Sequence, residues 1–269
     1  MGVWHCDIAP HTQDELKRSW ARAVADAASA RVTGEKAALR RRLLTARARL
    51  SPDERAAAGR ALRDTILELP QVQMAGTIAA YYSLASEPDT HGLVYALWKR
   101  GSYVLLPLLR PDGDLDWASY EGPDSLVAGP RGLREPGEPP RGVDAVARAD
   151  VVLVPALAVD AAGRRLGRGG GSYDRALARV GPLVPLIALI YDDELVEQVP
   201  AEGHDVPVRA TARPRAGLTL LAPPLTHLHT RTRPAGIPGP FFPHAPRHPA
   251  ESRDPFRGWI CLAVGYPEC

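Results

Sequence analysis

The stretch Arg164-Arg165-Leu166-Gly167-Arg168-Gly169-Gly170-Gly171-Ser172-Tyr173-Asp174-Arg175 constrains this chain more than any other. Before it runs Asp150-Val151-Val152-Leu153-Val154-Pro155, a short β-branched run of the kind that makes a buried strand. After it, residues 173–180 read as a helix opening. A strand, a glycine-rich loop and a helix N-terminus together make an anion site. Glycine amides approach a phosphate closely and adopt positive φ, and the first amides of a helix add unpaired donors. Arg165 and Arg168 add guanidinium forks suited to phosphate oxygens. Asp174 brings a carboxylate to the same place, which beside phosphates suggests a Mg²⁺ ligand. Two sharper phosphate motifs are excluded. The loop has no Lys for a P-loop, and Ser172 stands where a dinucleotide fingerprint needs its third glycine. Adjacent glycines and arginines also compose ordinary solvated loops, so composition alone leaves both readings open.

The rest of the chain alternates helical and strand patterns. Residues 14–31 place Leu16, Trp20, Ala23, Val24 and Ala27 on one side of a helix. Residues 35–50 predict a second, basic helix, with Leu39, Leu43 and Leu50 as a core stripe. Lys36 and Arg40 share one face of it; Arg41, Arg42, Arg47 and Arg49 read as surface. Ser51-Pro52-Asp53-Glu54 is a capping-box start for a helix reaching about residue 69, with Leu62, Ile66 and Leu69 inward. Residues 77–82 predict a strand that releases the loop 83–89 at its C-terminal end, where ligands gather in open α/β sheets. A helix over 91–100 and a strand over 103–108 follow. Asp112-Gly113-Asp114 then turns the chain into a strand over 115–120. There Trp117 offers either a flat face for a heterocycle or an ordinary half-buried core contact.

Residues 121–141 are rich in Pro and Gly and predict loop. Strands at 151–155, 186–191 and 206–210, with a short helix or turn at 192–199, complete the pattern. The expected fold class is α/β: three layers, with a mainly parallel sheet flanked by helices. From Ala222 onward, Pro, His and Arg dominate, and so polar a segment cannot offset its chain entropy; disorder is expected. Its His227, His229, His244 and His248 have no preset metal geometry.

Composition removes several function classes. The net charge is +2, from 33 basic and 31 acidic residues, too small to draw the chain to nucleic acid or membrane. Cys6, Cys261 and Cys269 form no Cys-x-x-Cys pair, so neither a zinc site nor a disulfide framework is indicated. No apolar run reaches membrane-spanning length and no secretory pattern is visible. Reduced thiols are the simplest reading of the cysteines, and a cytoplasmic protein is expected.

The order Arg-Leu-Gly-Arg-Gly-Gly-Gly-x-Tyr-Asp-Arg closely resembles the signature of the 5-formyltetrahydrofolate cyclo-ligases, also called methenyltetrahydrofolate synthetases. Lys36-Ala37-Ala38-Leu39-Arg40, Tyr82-Ser83-Leu84-Ala85-Ser86-Glu87-Pro88-Asp89-Thr90, Asp160-Ala161-Ala162-Gly163 and Pro200-Ala201-Glu202-Gly203-His204-Asp205 resemble further segments of that family, in order. The resemblance spans residues 35–221, leaving 1–34 as an extension and 222–269 as a tail. It implies an α/β catalytic domain that uses ATP and Mg²⁺ to turn 5-formyltetrahydrofolate into 5,10-methenyltetrahydrofolate. It also implies roles. Lys36, Arg40, Arg165, Leu166, Gly167, Arg168, Gly169, Gly170, Gly171, Ser172 and Tyr173 would hold ATP. Tyr82, Glu87 and Tyr173 would orient folate, with the loop from Arg168 to Ser172 beside it. Asp174 and Asp205 would hold the metal, and Arg168 would act on the transferring phosphoryl group. His204 receives no chemical role. Where the family usually has two tyrosines before the aspartate, this chain has Ser172-Tyr173, so weaker substrate binding is expected. The alternative is a non-catalytic folate- or nucleotide-binding relative of the same fold.

Overall fold

The computed structural model describes residues 10–84, 86–203 and 205–221. These fall within the first of two units, Met1–Pro224. His204, the three cysteines and the tail from residue 222, with its four histidines, lie outside the described residues.

The first element is a single helix, α1 (Pro10–Ala48), where the pattern predicts two. Only Gly34 interrupts its helix-favouring run, and one interior glycine costs about 1 kcal/mol, too little to break so long a helix. Its N-terminal apolar side is exposed: Trp20 is 73% accessible. Its C-terminal half packs Leu43, with Leu39 and Leu44, against Leu157, Leu166 and Val199. α2 (Pro52–Leu67) opens on the predicted capping box: Ser51 Oγ accepts from the Glu54 amide, and the Glu54 carboxylate accepts from the Ser51 amide. α3 (Pro70–Gln73), β1 (Thr77–Ala79), α4 (His91–Lys99), β2 (Tyr103–Leu109) and β3 (Leu115–Ser119) follow. The predicted loop over 121–141 contains a small pair, β4 (Leu126–Ala128) and β5 (Arg134–Pro136). Then come β6 (Val151–Pro155), β7 (Ala158–Asp160), β8 (Arg165–Leu166), α5 (Ser172–Leu177), β9 (Leu186–Leu189), β10 (Leu195–Val196), β11 (Ala210–Arg213) and β12 (Gly217–Leu220).

The main sheet has the order β12-β11-β9-β6-β1-β2-β3. Its inner strands run parallel, and antiparallel β3 and β12 close the two edges. The fold class is therefore α/β with a mostly parallel sheet flanked by helices. Strand alternation divides the core in two. Ile78, Ala80, Leu153, Ile187 and Leu189 face Leu62, Ile66, Leu93 and Leu97 of α2 and α4. Ala79, Val152, Val154, Leu186 and Ala188 face Val146, Ala176 and Leu177 on the other side.

Two local expectations are corrected. The glycine loop does not follow β6 directly, because the antiparallel pair β7–β8 intervenes and carries Arg165 and Leu166. Residues 206–209 are not strand; pairing starts at Ala210 and continues into β12, an edge hairpin that the short apolar pattern did not announce.

Candidate functional site

The C-terminal ends of β1, β2 and β6 open onto a cleft of about 440 Å³. Its lining includes every residue expected to act: Lys36, Arg40, Tyr82, Glu87, the run from Arg165 to Asp174, and Asp205. Residues as far apart in sequence as Lys36 and Asp205, 169 positions, meet at the rim to which the strand ends of a parallel sheet all point.

Two glycines of the loop have the positive φ angles expected of them. Gly169 (φ 106°) and Gly171 (φ 65°) take left-handed conformations that a side chain would strain. Arg40 lies across Gly169, and its Nε donates to the Gly167 carbonyl at 2.8 Å. α5, which starts at Ser172, has only six residues, so its dipole is small and the loop amides matter more. Arg168 reaches from the glycine loop to the 83–89 loop: Nε donates to Glu87 Oε1 at 3.1 Å and Nη2 to Ser86 Oγ at 2.8 Å. Its side chain remains 44% exposed, open to the cleft. Arg165 is different. It is buried, donates from Nη2 to Asp174 Oδ1 at 2.7 Å, and sits over the Tyr173 ring. Ser172 Oγ donates to the Gly113 carbonyl at 2.5 Å, and Arg175 reaches the same oxygen. The serine therefore fastens the β2–β3 turn to the glycine loop. Tyr173 is partly buried, its hydroxyl fully so with no hydrogen-bond partner among the described residues. Burial, reinforced by the Glu87 charge, raises its pKa.

The opposite wall is ionic. Lys36 Nζ donates to Asp205 Oδ2 at 2.7 Å and to Glu202 Oε2 at 3.0 Å. Burial alone would depress the ammonium pKa; the bonds to Asp205 and Glu202 outweigh it and raise the pKa. Asp174 and Asp205 flank one junction: the amide of Val206, next to Asp205, donates to Asp174 Oδ1 at 3.4 Å.

Residues 32–214 match the profile of the 5-formyltetrahydrofolate cyclo-ligase family. The chain belongs to this family. A cyclo-ligase of Mycolicibacterium smegmatis is 43% identical over 150 residues, covering 54% of this chain and 77% of that one. One from Escherichia coli K12 is 34% identical over 172 residues, covering 61% and 92%. Among solved structures, the 5,10-methenyltetrahydrofolate synthetase of Aquifex aeolicus superposes with a TM-score of 0.61 at 27% identity, covering 73% of this chain and 98% of that one.

One expected candidate of this cyclo-ligase fails. Trp117 is fully buried between β3 and the 143–148 turn and lies outside the cleft lining, so it is no ring platform. Trp117→Phe should lower stability by about 1 kcal/mol while leaving the KM for any cleft ligand within about twofold; thermal melting beside steady-state kinetics checks this. Two residues were missed. Arg47, read as surface, is 2% exposed and forms part of the cleft floor. Glu194, in the stretch read as a short helix or turn, is its buried partner, at 2.6 and 2.8 Å. The signal for Arg47 was its spacing: Lys36, Arg40, Leu43 and Arg47 share one helical face, the face with the core leucine.

Proposed function

We propose that the chain catalyses the ATP-dependent conversion of 5-formyltetrahydrofolate to 5,10-methenyltetrahydrofolate, releasing ADP and phosphate. The observation that carries this reading is Arg168: it belongs to the glycine loop, and its guanidinium bonds Glu87. A side chain placed there touches both a phosphate in the loop and a folate against Glu87.

A formamide carbonyl is a poor electrophile, and its oxygen a poor leaving group. Transfer of the γ-phosphoryl group to the formyl oxygen turns that oxygen into a phosphate ester. The N10 nitrogen of the folate then attacks the formyl carbon and loses its proton, and the carbon–oxygen bond breaks as phosphate leaves. The protein's share is placement and charge, as in phosphoryl transfer generally. Arg168 and the amides of Gly169, Gly170 and Gly171 hold the moving phosphoryl group. Lys36 and Arg40 hold the remaining phosphates, and Arg165, Leu166, Gly167, Ser172 and Tyr173 complete the nucleotide wall. Glu87, Tyr82 and Tyr173 orient the folate, against the same loop.

Asp174 and Asp205 suit Mg²⁺, which takes one or two carboxylates and leaves its other positions to phosphate oxygens and water. No group of three or more His, Cys, Asp or Glu residues that could hold a metal occurs among the described residues. Held by Asp174 and Asp205, the ion would supply charge neutralisation beside the nucleotide phosphates. The reading takes the chain to act on reduced folate and ATP as a cytoplasmic monomer; no helix of the described residues is long and apolar enough to cross a membrane.

The test is direct. The purified chain with 5-formyltetrahydrofolate, ATP and Mg²⁺ should generate methenyltetrahydrofolate absorbance, and withholding ATP or adding a chelator should stop it. Nucleotide binding with no such product would overturn the reading.

A further inference from the structure

A line of contacts runs from α1 to the cleft through a residue that does not itself line it. Arg47 grips both carboxylate oxygens of Glu194. Glu194 Oε2 also accepts the Tyr191 amide at 2.8 Å, and the Arg47 guanidinium lies 5.4 Å from the centre of the Tyr191 ring. Tyr191 Oη donates to the backbone carbonyl of Glu87 at 3.2 Å. The Glu87 carboxylate accepts from Arg168 and from the Leu84 amide. The base of the 83–89 loop is fastened separately: Thr90 Oγ1 donates to the Tyr81 carbonyl, and Thr90 and Ser83 exchange two further bonds. At the tip, Tyr191 joins Glu87 to the chain just beyond β9. Burial pushes the Tyr191 hydroxyl pKa up to about 12, so it stays protonated and able to donate at neutral pH.

We propose that Tyr191 is a positioning residue for the reduced folate: its hydroxyl fixes the tip of the 83–89 loop, and so sets where the Glu87 carboxylate stands. This rests on the cyclo-ligase reading above. Tyr191 touches neither ligand, being absent from the cleft lining, so its effect passes through Glu87 alone. Phosphate binding is built on α1 and the glycine loop and meets this line of contacts only where Arg168 bonds Glu87, so the nucleotide should feel Tyr191 less than the folate does.

Tyr191→Phe in the full chain removes one hydroxyl and keeps the ring under Arg47. The KM for 5-formyltetrahydrofolate should rise about three- to tenfold, the factor that one neutral hydrogen bond is worth. The KM for ATP should stay within about twofold. Hydrogen exchange at the Leu84 and Glu87 amides should quicken, while β9 amides keep their rates. Unchanged folate KM and unchanged exchange would overturn the inference. So would parallel rises in both KM values with a lowered melting temperature, since that marks general damage. If the unaltered chain forms no methenyl product, it is the cyclo-ligase reading that fails; the exchange rates still decide whether Tyr191 holds the loop.

Discussion

Arg168→Ala is expected to reduce kcat/KM for 5-formyltetrahydrofolate by about a hundredfold or more, with little change in melting temperature. The two halves of this expectation have different origins. The side chain is 44% exposed and its partners are Glu87 and Ser86, so truncating it opens no core cavity. In the proposed reaction, however, its guanidinium links the glycine loop to Glu87, the residue proposed to orient the folate. A preorganised donor aimed at charge that develops in the transition state is worth a few kcal/mol, or about two to three powers of ten in rate. Arg168→Lys separates charge from geometry. A lysine restores a positive charge but not the planar fork, so it should recover only part of the loss. Stopped turnover with methenyl absorbance as the readout measures all three proteins. An alanine variant retaining a kcat/KM within fivefold of the parent would remove Arg168 from the chemistry.

The parts of this molecule that could be read from the sequence are those where a local rule acts alone. The capping box at Ser51 and Glu54 needs four residues and no tertiary context, and it formed as expected. The glycine loop needs its own φ angles, and Gly169 and Gly171 have them. What escaped depended on partners far away. Arg47 and Arg41 are the same residue type about 1.7 turns apart on α1. Only the sheet, arriving with Ala156 and with Glu194 147 residues later, buries one and leaves the other in solvent. Trp117 sits on a strand whose outer face would be half open, had the 143–148 turn not covered it. Ser172 is a related case. A sequence comparison registers a missing tyrosine ring, whereas the folded chain shows a hydroxyl recruited to fasten the β2–β3 turn at Gly113.

Arg47→Ala should have the largest effect on stability of any single substitution considered. The pair it breaks is almost fully withdrawn from water, with side-chain exposures of 2% and 5%. Burial opposes the Arg47 charge, and the bond to Glu194 outweighs that and raises its pKa, so the arginine is held charged by one partner. Removing it strands the Glu194 carboxylate without its counter-ion and leaves the Ala156 carbonyl without its donor. Breaking such a pair costs about 3–5 kcal/mol. For a body of this size each kcal/mol moves the melting temperature by about 2–4 °C, so a fall of about 10 °C is expected. The cost lies in the orphaned charge rather than in a lost attraction, which makes a second outcome checkable. Replacing both partners with apolar residues of similar volume, Arg47→Met with Glu194→Leu, should recover much of the lost stability, since a buried ion pair gains little over good packing. It should not recover folate affinity, because the Glu194 carboxylate also holds the Tyr191 amide beneath Glu87. Calorimetry on the single and double variants decides the matter: a single variant melting within about 3 °C of the parent would show that water or a rearranged neighbour already satisfies Glu194.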